Sequence, residues 1–345
     1  GLENLTMIGG TIRMDFNPEL ESIEALSNLT QVNLFNGPYI QIHHNPKLAS
    51  LSAFHNLTRM GSLSIQGNHA LTNLEGLENI TRLDYGDSPE PDDFIGTSLE
   101  INNNSNLASI EALSNLTFIG NNFHIMENPL LTSLEPLSNL VKVGCDLRVN
   151  GNSTLTSLQG LQNIEDLGTY VFCPGPWLQM SNHPLISNVD PLQNLISTKP
   201  VVYDVQNNAQ LQNLDGLENI AANQIEFLTI KNSPELSVCN QTNICEYLSD
   251  GGMNEISGNA SGCASEEEII EICALSIDEI NSTDEITLYP VPTKNILNIS
   301  LQNGAVIEHI LIYDLNGKLV YQLNENSSKI DISHLSIGTY LVSVK

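Results

Sequence analysis

Asparagine recurs at two fixed places in a repeat of about 24 residues, and this recurrence constrains the fold more than any other feature of the chain. Counted from an apolar residue such as Ile125, one asparagine column lies three positions further on and the other fourteen. The first column contains Asn17, Asn45, Asn68, Asn104, Asn128, Asn152 and Asn208, with His183 in its seventh place. The second contains Asn28, Asn56, Asn79, Asn115, Asn139, Asn163, Asn194 and Asn219. Internal repetition at this period predicts a solenoid, in which each repeat forms one coil against its neighbours.

The apolar residues of each repeat indicate how a coil is built. They fall at every third position, as in Leu131, Leu134, Leu137 and Leu140, which matches neither an α-helix nor a simple strand. This spacing is typical of a short strand followed by turns that each send one side chain inward. Turns inside a protein need partners for their backbone groups, and asparagine supplies both donors and an acceptor. We therefore predict that both asparagine columns are structural ladders. The ladder also explains the Asn-X-Thr triplets of the second column better than glycosylation does.

The repeat resembles the receptor L-domain, a leucine-rich, single-stranded β-helix found in the ectodomains of the insulin and epidermal-growth-factor receptors. The resemblance rests on the asparagine columns and the leucines between them, and it covers about residues 1–275. It implies a mainly β, right-handed leucine-rich β-helical solenoid. Because this fold presents many different surfaces, the resemblance implies little about function. The sequence departs from those receptors because no cysteine-rich module accompanies the repeats.

The cysteines and the residues after about 237 predict a helical cap for the end of the solenoid. Two short helices are predicted, over 243–249 and 265–273, and a capping box at Ser265 opens the second. Disulfides would staple this cap in one of three pairings of Cys239, Cys245, Cys263 and Cys273. A zinc site is the alternative, although the CxxC spacing is absent. Cys145 precedes one strand and Cys173 lies in the segment before the next, so we predict that they form a disulfide.

The residues after the cap predict a second domain. An acidic linker at 276–286 precedes short alternating strands at 287–345, which are typical of a small Ig-like β-sandwich. Three motifs follow in order: Leu-Tyr-Pro-Val-Pro-Thr at 288–293, Ile-Tyr-Asp-Leu-Asn-Gly-Lys at 312–318 and Gly-Thr-Tyr-Leu-Val at 338–342. They resemble the type A sorting domain of the type IX secretion system of Bacteroidetes, except that Val291 stands where the motif usually has asparagine.

The resemblance to a sorting domain implies where the protein goes. It implies transient contact with the type IX secretion machinery and export to the outer-membrane surface of a Gram-negative bacterium. It also implies removal of the domain after export and, often, attachment to a surface lipopolysaccharide. The alternative is an ordinary Ig-like accessory domain, because sandwiches of this size recur in many proteins. An even number of cysteines agrees with an oxidising compartment.

Charge and missing motifs exclude several classes of function. The formal net charge is −28, from 40 acidic and 12 basic side chains, so the surface repels nucleic acid and anionic lipid. No apolar run reaches the ~18–20 residues of a transmembrane segment. No phosphate-binding loop, nucleophile elbow or HExxH motif occurs. We therefore predict that the chain is not an enzyme and binds no cofactor or metal.

Three insertions predict a recognition site at one rim of the solenoid. They lie between residues 32 and 40, 83 and 99, and 167 and 178, each just before a strand. They carry the aromatic side chains Phe35, Tyr39, Tyr85, Phe94, Tyr170, Phe172 and Trp177. The outward strand positions beside them are polar, namely Arg13, Gln41, Glu100, His124 and Arg148. We predict that this face and its loops bind a ligand. The alternative is that each loop folds its own aromatics over the coil as an Ω-loop.

These observations together predict a secreted, cell-surface-anchored binding or adhesion protein that recognises an extracellular protein or glycan. Gly-Leu-Glu-Asn-Leu-Thr at 1–6 matches the second half of a repeat at 76–81, so we expect the sequence to begin within a coil. Two alternatives follow from that expectation. The chain is a non-binding spacer of a larger surface protein, or it is an accessory part of an enzyme whose catalytic domain lies upstream.

Overall fold

The computed structural model divides the chain into two compact units, 1–275 and 276–345, each of which has its own apolar core. The structure describes residues 1–32, 39–84, 98–170, 173–275, 286–289, 291, 293, 295–301, 307, 309–314, 318–323, 327–336 and 338–344. In these ranges, no helix has the length and apolar character needed to span a membrane.

A ten-stranded parallel sheet, the long sheet, extends through the first unit. Its strands, in pairing order, are Ile12–Asp15, Tyr39–His43, Ser62–Gln66, Leu99–Asn102, Phe123–Met126, Leu147–Asn150, Trp177–Ser181, Val201–Gln206, Ile225–Lys231 and Asn254–Ser257. The order of pairing is the order in the chain, so strands of consecutive repeats are neighbours. Side chains alternate as predicted, because Phe123 and Ile125 are buried whereas His124 and Met126 lie on the outer face. The sheet is open at both edges.

A second parallel sheet has six strands of two residues each. These strands are Arg59–Met60, Arg82–Leu83, Phe118–Ile119, Lys142–Val143, Asp166–Leu167 and Ile196–Ser197, and a separate pair joins Met7–Ile8 to Gln31–Val32. Short 3₁₀ segments occupy Glu24–Leu26, Ser52–Phe54, Glu111–Leu113, Glu135–Asn139, Asp190–Leu192, Asp215–Leu217 and Ala222–Gln224. From Tyr39–His43 to Val201–Gln206 the chain thus alternates between the two parallel sheets once per repeat.

The space between the sheets is filled by the apolar residues that recur at every third position. Leu131, Leu134, Leu137, Leu140 and Val143 all have no exposed surface. Full burial of such a side chain contributes about 1.5–3 kcal/mol relative to exposure. The three-residue spacing therefore marks the core in each repeat.

The first asparagine column forms a buried ladder. The Asn128 backbone N–H donates to Asn152 Oδ1 at 3.0 Å, and Asn128 Nδ2 donates to the Ile101 carbonyl at 2.8 Å. Asn128 Oδ1 in turn accepts the N–H of Asn104 at 3.1 Å. Asn45, Asn68, Asn104, Asn128, Asn152 and Asn208 are buried, whereas Asn17 at the first strand is exposed. One amide side chain thus satisfies backbone groups of two repeats, which water cannot reach.

The ladder extends further than the sequence pattern indicates. The N–H of Asn208 donates to Ser233 Oγ at 3.2 Å, and the N–H of Ser233 donates to Asn259 Oδ1 at 3.1 Å. The strand Asn254–Ser257 also pairs with Leu228–Lys231 in the long sheet. The repeat therefore continues past Ile230, where its sequence pattern becomes unrecognisable because a helix replaces the usual leucine-rich turns.

The second asparagine column bonds neighbouring repeats but is exposed. Asn139 Nδ2 donates to the Ser114 carbonyl at 2.7 Å, and Asn163 Nδ2 donates to the Ser138 carbonyl at 2.7 Å. Every member is exposed: Asn28, Asn56, Asn79, Asn115, Asn139, Asn163, Asn194 and Asn219. The expectation that this column satisfies buried backbone groups is wrong, because solvent reaches the side chains that make these bonds.

Each residue that directly precedes a position of the buried ladder has a left-handed backbone conformation, with a positive φ. Non-glycine examples include Phe16, His44 and Glu127, with φ of 55°, 55° and 57°, and the glycines Gly67 and Gly151 share this conformation. Glycine and asparagine enter this region at low cost, whereas a bulky side chain does not. The turn that presents each ladder asparagine therefore requires this conformation.

Two helices and two disulfides follow the ninth strand of the long sheet. The helices are Thr242–Ser249 and Glu266–Leu275, and the Glu268 N–H donates to Ser265 Oγ at 3.3 Å, as the capping box predicts. Cys239 pairs with Cys263, and Cys245 pairs with Cys273, so the second disulfide joins one helix to the other. The structure thus selects one of the three pairings that the sequence leaves open.

The second unit contains two antiparallel sheets of three strands each. One contains Ile286–Tyr289, Ile296–Leu301 and Lys329–Asp331, and the other contains Leu319–Leu323, Ile310–Asp314 and Tyr340–Val344. Leu297, Ile299 and Ile330 of the first sheet share a core with Ile310 and Ile312 of the second. Residues 315–317 of the second motif and residues 276–285 of the predicted linker lie outside the described residues.

Candidate functional site

The outer face of the long sheet brings the predicted polar residues into one row. Strand pairing places Arg13 beside Gln41, and Glu100 beside His124, which is followed by Arg148. The complete row contains Arg13, Gln41, Ser64, Glu100, His124, Arg148, Gln179, Asp204, Thr229 and Glu255. Neighbouring strands lie about 4.8 Å apart, so adjacent side chains of this row are in reach of one another.

A polar network covers the first strands of this face. Gln41 Nε2 donates to both carboxylate oxygens of Asp15 at 2.9 Å, and Arg13 also contacts this carboxylate. Burial favours a higher pKa for Asp15, but the hydrogen bonds from Arg13 and Gln41 outweigh it, and the pKa of Asp15 lies below its usual value. The carboxylate therefore stays charged and holds these side chains in place.

Asp15, His43 and Ser64 have the composition of a catalytic triad but not its hydrogen bonding. His43 Nε2 lies 2.8 Å from Ser64 Oγ, and His43 Nδ1 lies 4.0 Å from Asp15 Oδ1. The Ser64 hydroxyl donates to Glu100 Oε2 at 3.0 Å, so its one proton points away from His43. Nε2 must then donate to Oγ, whereas a serine nucleophile needs a histidine that accepts its proton. This arrangement does not activate Ser64.

A second cluster surrounds Trp177 farther along the sheet. Asp146 Oδ1 accepts the Trp177 N–H at 2.9 Å, and Asp146 Oδ2 accepts from Arg148 Nη2 at 2.6 Å. The Arg148 guanidinium lies 4.9 Å from the Trp177 ring centroid, in cation–π geometry. Burial favours a higher pKa for Asp146, but His124, the Trp177 amide and Arg148 together lower it. Trp177 itself is 39 % exposed. The cluster therefore holds the backbone of Trp177 in place and sets a charged pair beside its exposed indole.

The loop that leads to Trp177 is held at several points. Cys145 and Cys173 form the disulfide that the sequence predicts, with their Cα atoms 5.5 Å apart. Tyr170 is buried against both cysteines. Lys199 Nζ donates to the carbonyls of Tyr170 and Cys173 at 2.6 and 2.7 Å. The disulfide and these hydrogen bonds therefore hold the loop before Trp177 in place. The Tyr170 ring is buried in that loop and does not lie on the surface.

The other predicted aromatics divide into two groups. Tyr39 opens the strand Tyr39–His43, is half-buried and pairs in register with Ser62. Tyr85, Phe94, Phe35 and Phe172 lie outside the described residues. The structure therefore brings Trp177 together with Arg148 and His124, and it places Tyr39 near the far end of the same face.

An apolar row of side chains was not identified from the sequence. Trp177 pairs in register with Val202, and Val202 pairs with Phe227. Met253 directly precedes the last strand, and its carbonyl accepts the N–H of Leu228, the residue after Phe227, at 3.1 Å. In the earlier repeats the same row holds polar residues, including Ser62, Ser98, Asn122 and Asp146. A bulge at Glu226 brings Phe227 opposite Val202, and this shift hides the alignment in the sequence. We call Trp177, Val202, Phe227 and Met253 the apolar row.

In the described ranges, no three His, Cys, Asp or Glu side chains converge as a metal site requires. His183, which replaces asparagine in the ladder, is buried, and its Nε2 lies 3.0 Å from the Val149 carbonyl. Burial lowers the pKa of His183 despite two nearby backbone carbonyls. His183 is therefore a ladder residue in a buried position rather than a surface ligand.

Comparison with known proteins identifies the second unit. Residues 287–345 match the family described as the secretion system C-terminal sorting domain. No curated protein matches the chain. The match confirms the sorting domain predicted from the three motifs. The protein is exported through the type IX secretion system to the cell surface or outside in Bacteroidetes, and its C-terminal domain interacts transiently with the secretion machinery.

Proposed function

We propose that the chain is a secreted binding protein without enzymatic activity. Its repeats recognise an extracellular protein or glycan through the outer face of the long sheet and the loop before Trp177. The sorting domain delivers the protein to the place where such ligands occur. The polar, partly exposed character of the face suits a hydrated interface.

The scaffold that we propose is a right-handed solenoid of the receptor L-domain type. Two observations support it: strands of consecutive repeats pair in parallel, and the buried asparagine ladder links each repeat to the next. Such a scaffold holds surface side chains in a fixed arrangement, which lowers the entropy lost on binding.

The exposed Trp177 carries the functional proposal. Its backbone N–H bonds Asp146, its ring lies beside Arg148, and a disulfide pins the loop before it. An indole that covered the core would be buried, whereas this one is 39 % exposed. Tryptophan and arginine are the residue types most enriched at the energetic centres of interfaces.

Binding and stability measured on the same variants test this proposal. The full chain is screened on arrays of extracellular glycans and proteins, and Trp177→Ala and Arg148→Ala are compared with it. We expect weaker capture by both variants, with a nearly unchanged melting temperature for Trp177→Ala and a lower one for Arg148→Ala, which removes a partner of the buried Asp146 carboxylate. Ile196→Ala is the control, because Ile196 is 45 % exposed but belongs to the second sheet. A lower melting temperature with unchanged capture per folded molecule would contradict the proposal and favour a spacer role.

A further inference from the structure

We infer that the apolar row binds an amphipathic helix of a partner protein, in which lysine or arginine flanks the apolar side chains. This inference rests on the proposed binding function and names the class of ligand. The row crosses three neighbouring strands of the long sheet and ends at Met253, the residue before the last strand. Its two ends are the most exposed, with Trp177 at 39 % and Met253 at 64 %. Aromatic residues, methionine and arginine are enriched at protein interfaces, and here Arg148 lies against Trp177.

The polar groups beside the row favour a protein over a glycan. Gln179 Nε2 and Gln206 Nε2 both donate to Asp204, at 2.8 and 2.7 Å. Lys231 pairs with Glu255, and Arg148 pairs with Asp146. A sugar needs hydrogen-bonding groups that are available to its hydroxyls, whereas these groups are already engaged with one another. The row itself offers apolar contact, which a protein side chain uses best.

The spacing of the row favours a helix over an extended peptide. Side chains on adjacent strands repeat about every 4.8 Å, so the four members span about 14 Å. One face of an α-helix repeats about every 5.4 Å, and about ten residues cover that length. Side chains on one face of an extended peptide repeat about every 6.7 Å, a spacing too long to match successive members of the row beyond the first contact. A helix lying across the strands can therefore match successive members of the row.

The charge around the row favours a basic partner. Glu226, Asp250 and Glu255 are exposed, and the Glu226 carboxylate reaches Gly175, two residues before Trp177. Three basic side chains lie near the row. Arg148 pairs with Asp146, Lys231 pairs with Glu255, and Lys199 donates to the carbonyls of Tyr170 and Cys173. The rim thus carries net negative charge, which attracts and orients a helix with lysine or arginine beside its apolar stripe.

The single tryptophan gives a direct readout of this row. The full chain is titrated with a synthetic helical peptide of about 14 residues that carries leucine on one face and lysine on its flanks. Two control peptides replace lysine with glutamate or scramble the leucine positions. We expect the lysine peptide to shift the Trp177 emission to shorter wavelength.

Two pairs of substitutions test whether the peptide binds the apolar row. Phe227→Ser with Met253→Ser should weaken binding of the lysine peptide about tenfold or more. Ile196→Ser with Val141→Ser is the matched control, because both residues are exposed and lie outside the row.

Three outcomes would overturn the inference. The first is equal binding of the lysine and scrambled peptides, and the second is equal binding to the row variant and to the control variant. The third is a Trp177 emission shift caused by cello- or manno-oligosaccharides but not by the lysine peptide. That result would reject a helix as the ligand while leaving the proposed binding function intact. Circular dichroism and melting of each variant establish that lost binding does not reflect lost folding.

Discussion

At the scale of single residues, the two asparagine columns are alike in sequence but differ in how much each side chain contributes to the stability of the fold. From Asn45 onward the first column is buried and bonds backbone groups that have no access to water, whereas the second column lies in solvent. Loss of a partner inside a protein costs the desolvation of the group left behind, but an exposed group bonds water instead. Burial therefore decides which asparagines hold the fold.

We predict that Asn128→Ala destabilises the first unit far more than Asn139→Ala does. Asn128→Ala removes the acceptor of the Asn104 N–H and the donor to the Ile101 carbonyl, both buried, and should cost about 1–3 kcal/mol for each group. Asn139→Ala removes one exposed bond to Ser114 and should cost about 0.5 kcal/mol. Denaturant unfolding of the two variants measures the difference. Equal losses would show that burial does not set the strength of the ladder.

His183 makes the ladder sensitive to pH. Burial lowers its pKa below the ordinary value of 6.5, so the unfolded chain binds its proton more readily than the folded chain does. The contribution of neutral His183 to stability is therefore complete above pH 6.5 and is lost as the pH falls below it. We predict that His183→Asn flattens the fall in melting temperature between pH 7 and pH 5. His55→Asn, at an exposed position, is the control. Parallel pH profiles for wild type and His183→Asn would contradict this prediction.

At the scale of elements, the disulfide and the loop before Trp177 act together. Cys145 and Cys173 are 28 residues apart, and a cross-link of that length contributes about 3–4 kcal/mol in the chain-entropy account. We predict that Cys145→Ala with Cys173→Ala lowers the free energy of unfolding by about that amount and shifts the Trp177 emission to longer wavelength as the loop loosens. Cys239→Ala with Cys263→Ala should destabilise the first unit without moving the emission. An unchanged emission in the first variant would show that the disulfide does not position Trp177.

The sequence predicted the elements that repeat and failed where the repeat changes. Leucine spacing placed the core, and the outward residues from Arg13 to Arg148 fall in one row because strand alternation is strictly local. The strand Asn254–Ser257 was missed because the helix Thr242–Ser249 takes the place of the leucine-rich turns before it. The apolar row was missed because its successive members are 25 or 26 residues apart and a bulge shifts Phe227 by one place. The exposure of the second asparagine column was not predicted, because it depends on how the repeats pack and not on the spacing of the asparagines in the sequence.

At the scale of the whole molecule, the proposed binding surface and the sorting domain belong to different units. The first unit has a core that runs from Ile12 to Ile269, and the second has a separate core around Ile310 and Ile312. A unit with its own core keeps its fold when a neighbouring unit is removed. The surface that we propose for binding lies entirely within residues 1–275, and the sorting domain lies within residues 287–345.

We therefore predict that deletion of residues 287–345 abolishes export but leaves the repeats folded. In the native host the shortened protein should accumulate in the periplasm, because the type IX machinery no longer recognises it. Its melting temperature, measured after purification, should match that of the first unit in the full chain. The full-length Trp177→Ala variant is the matched control, and it should reach the surface at the normal level because Trp177 lies outside the sorting domain. Export of the shortened protein at the normal level would show that sorting does not depend on these residues. Export of Trp177→Ala at a reduced level, with unchanged folding, would show that delivery and recognition are not separate.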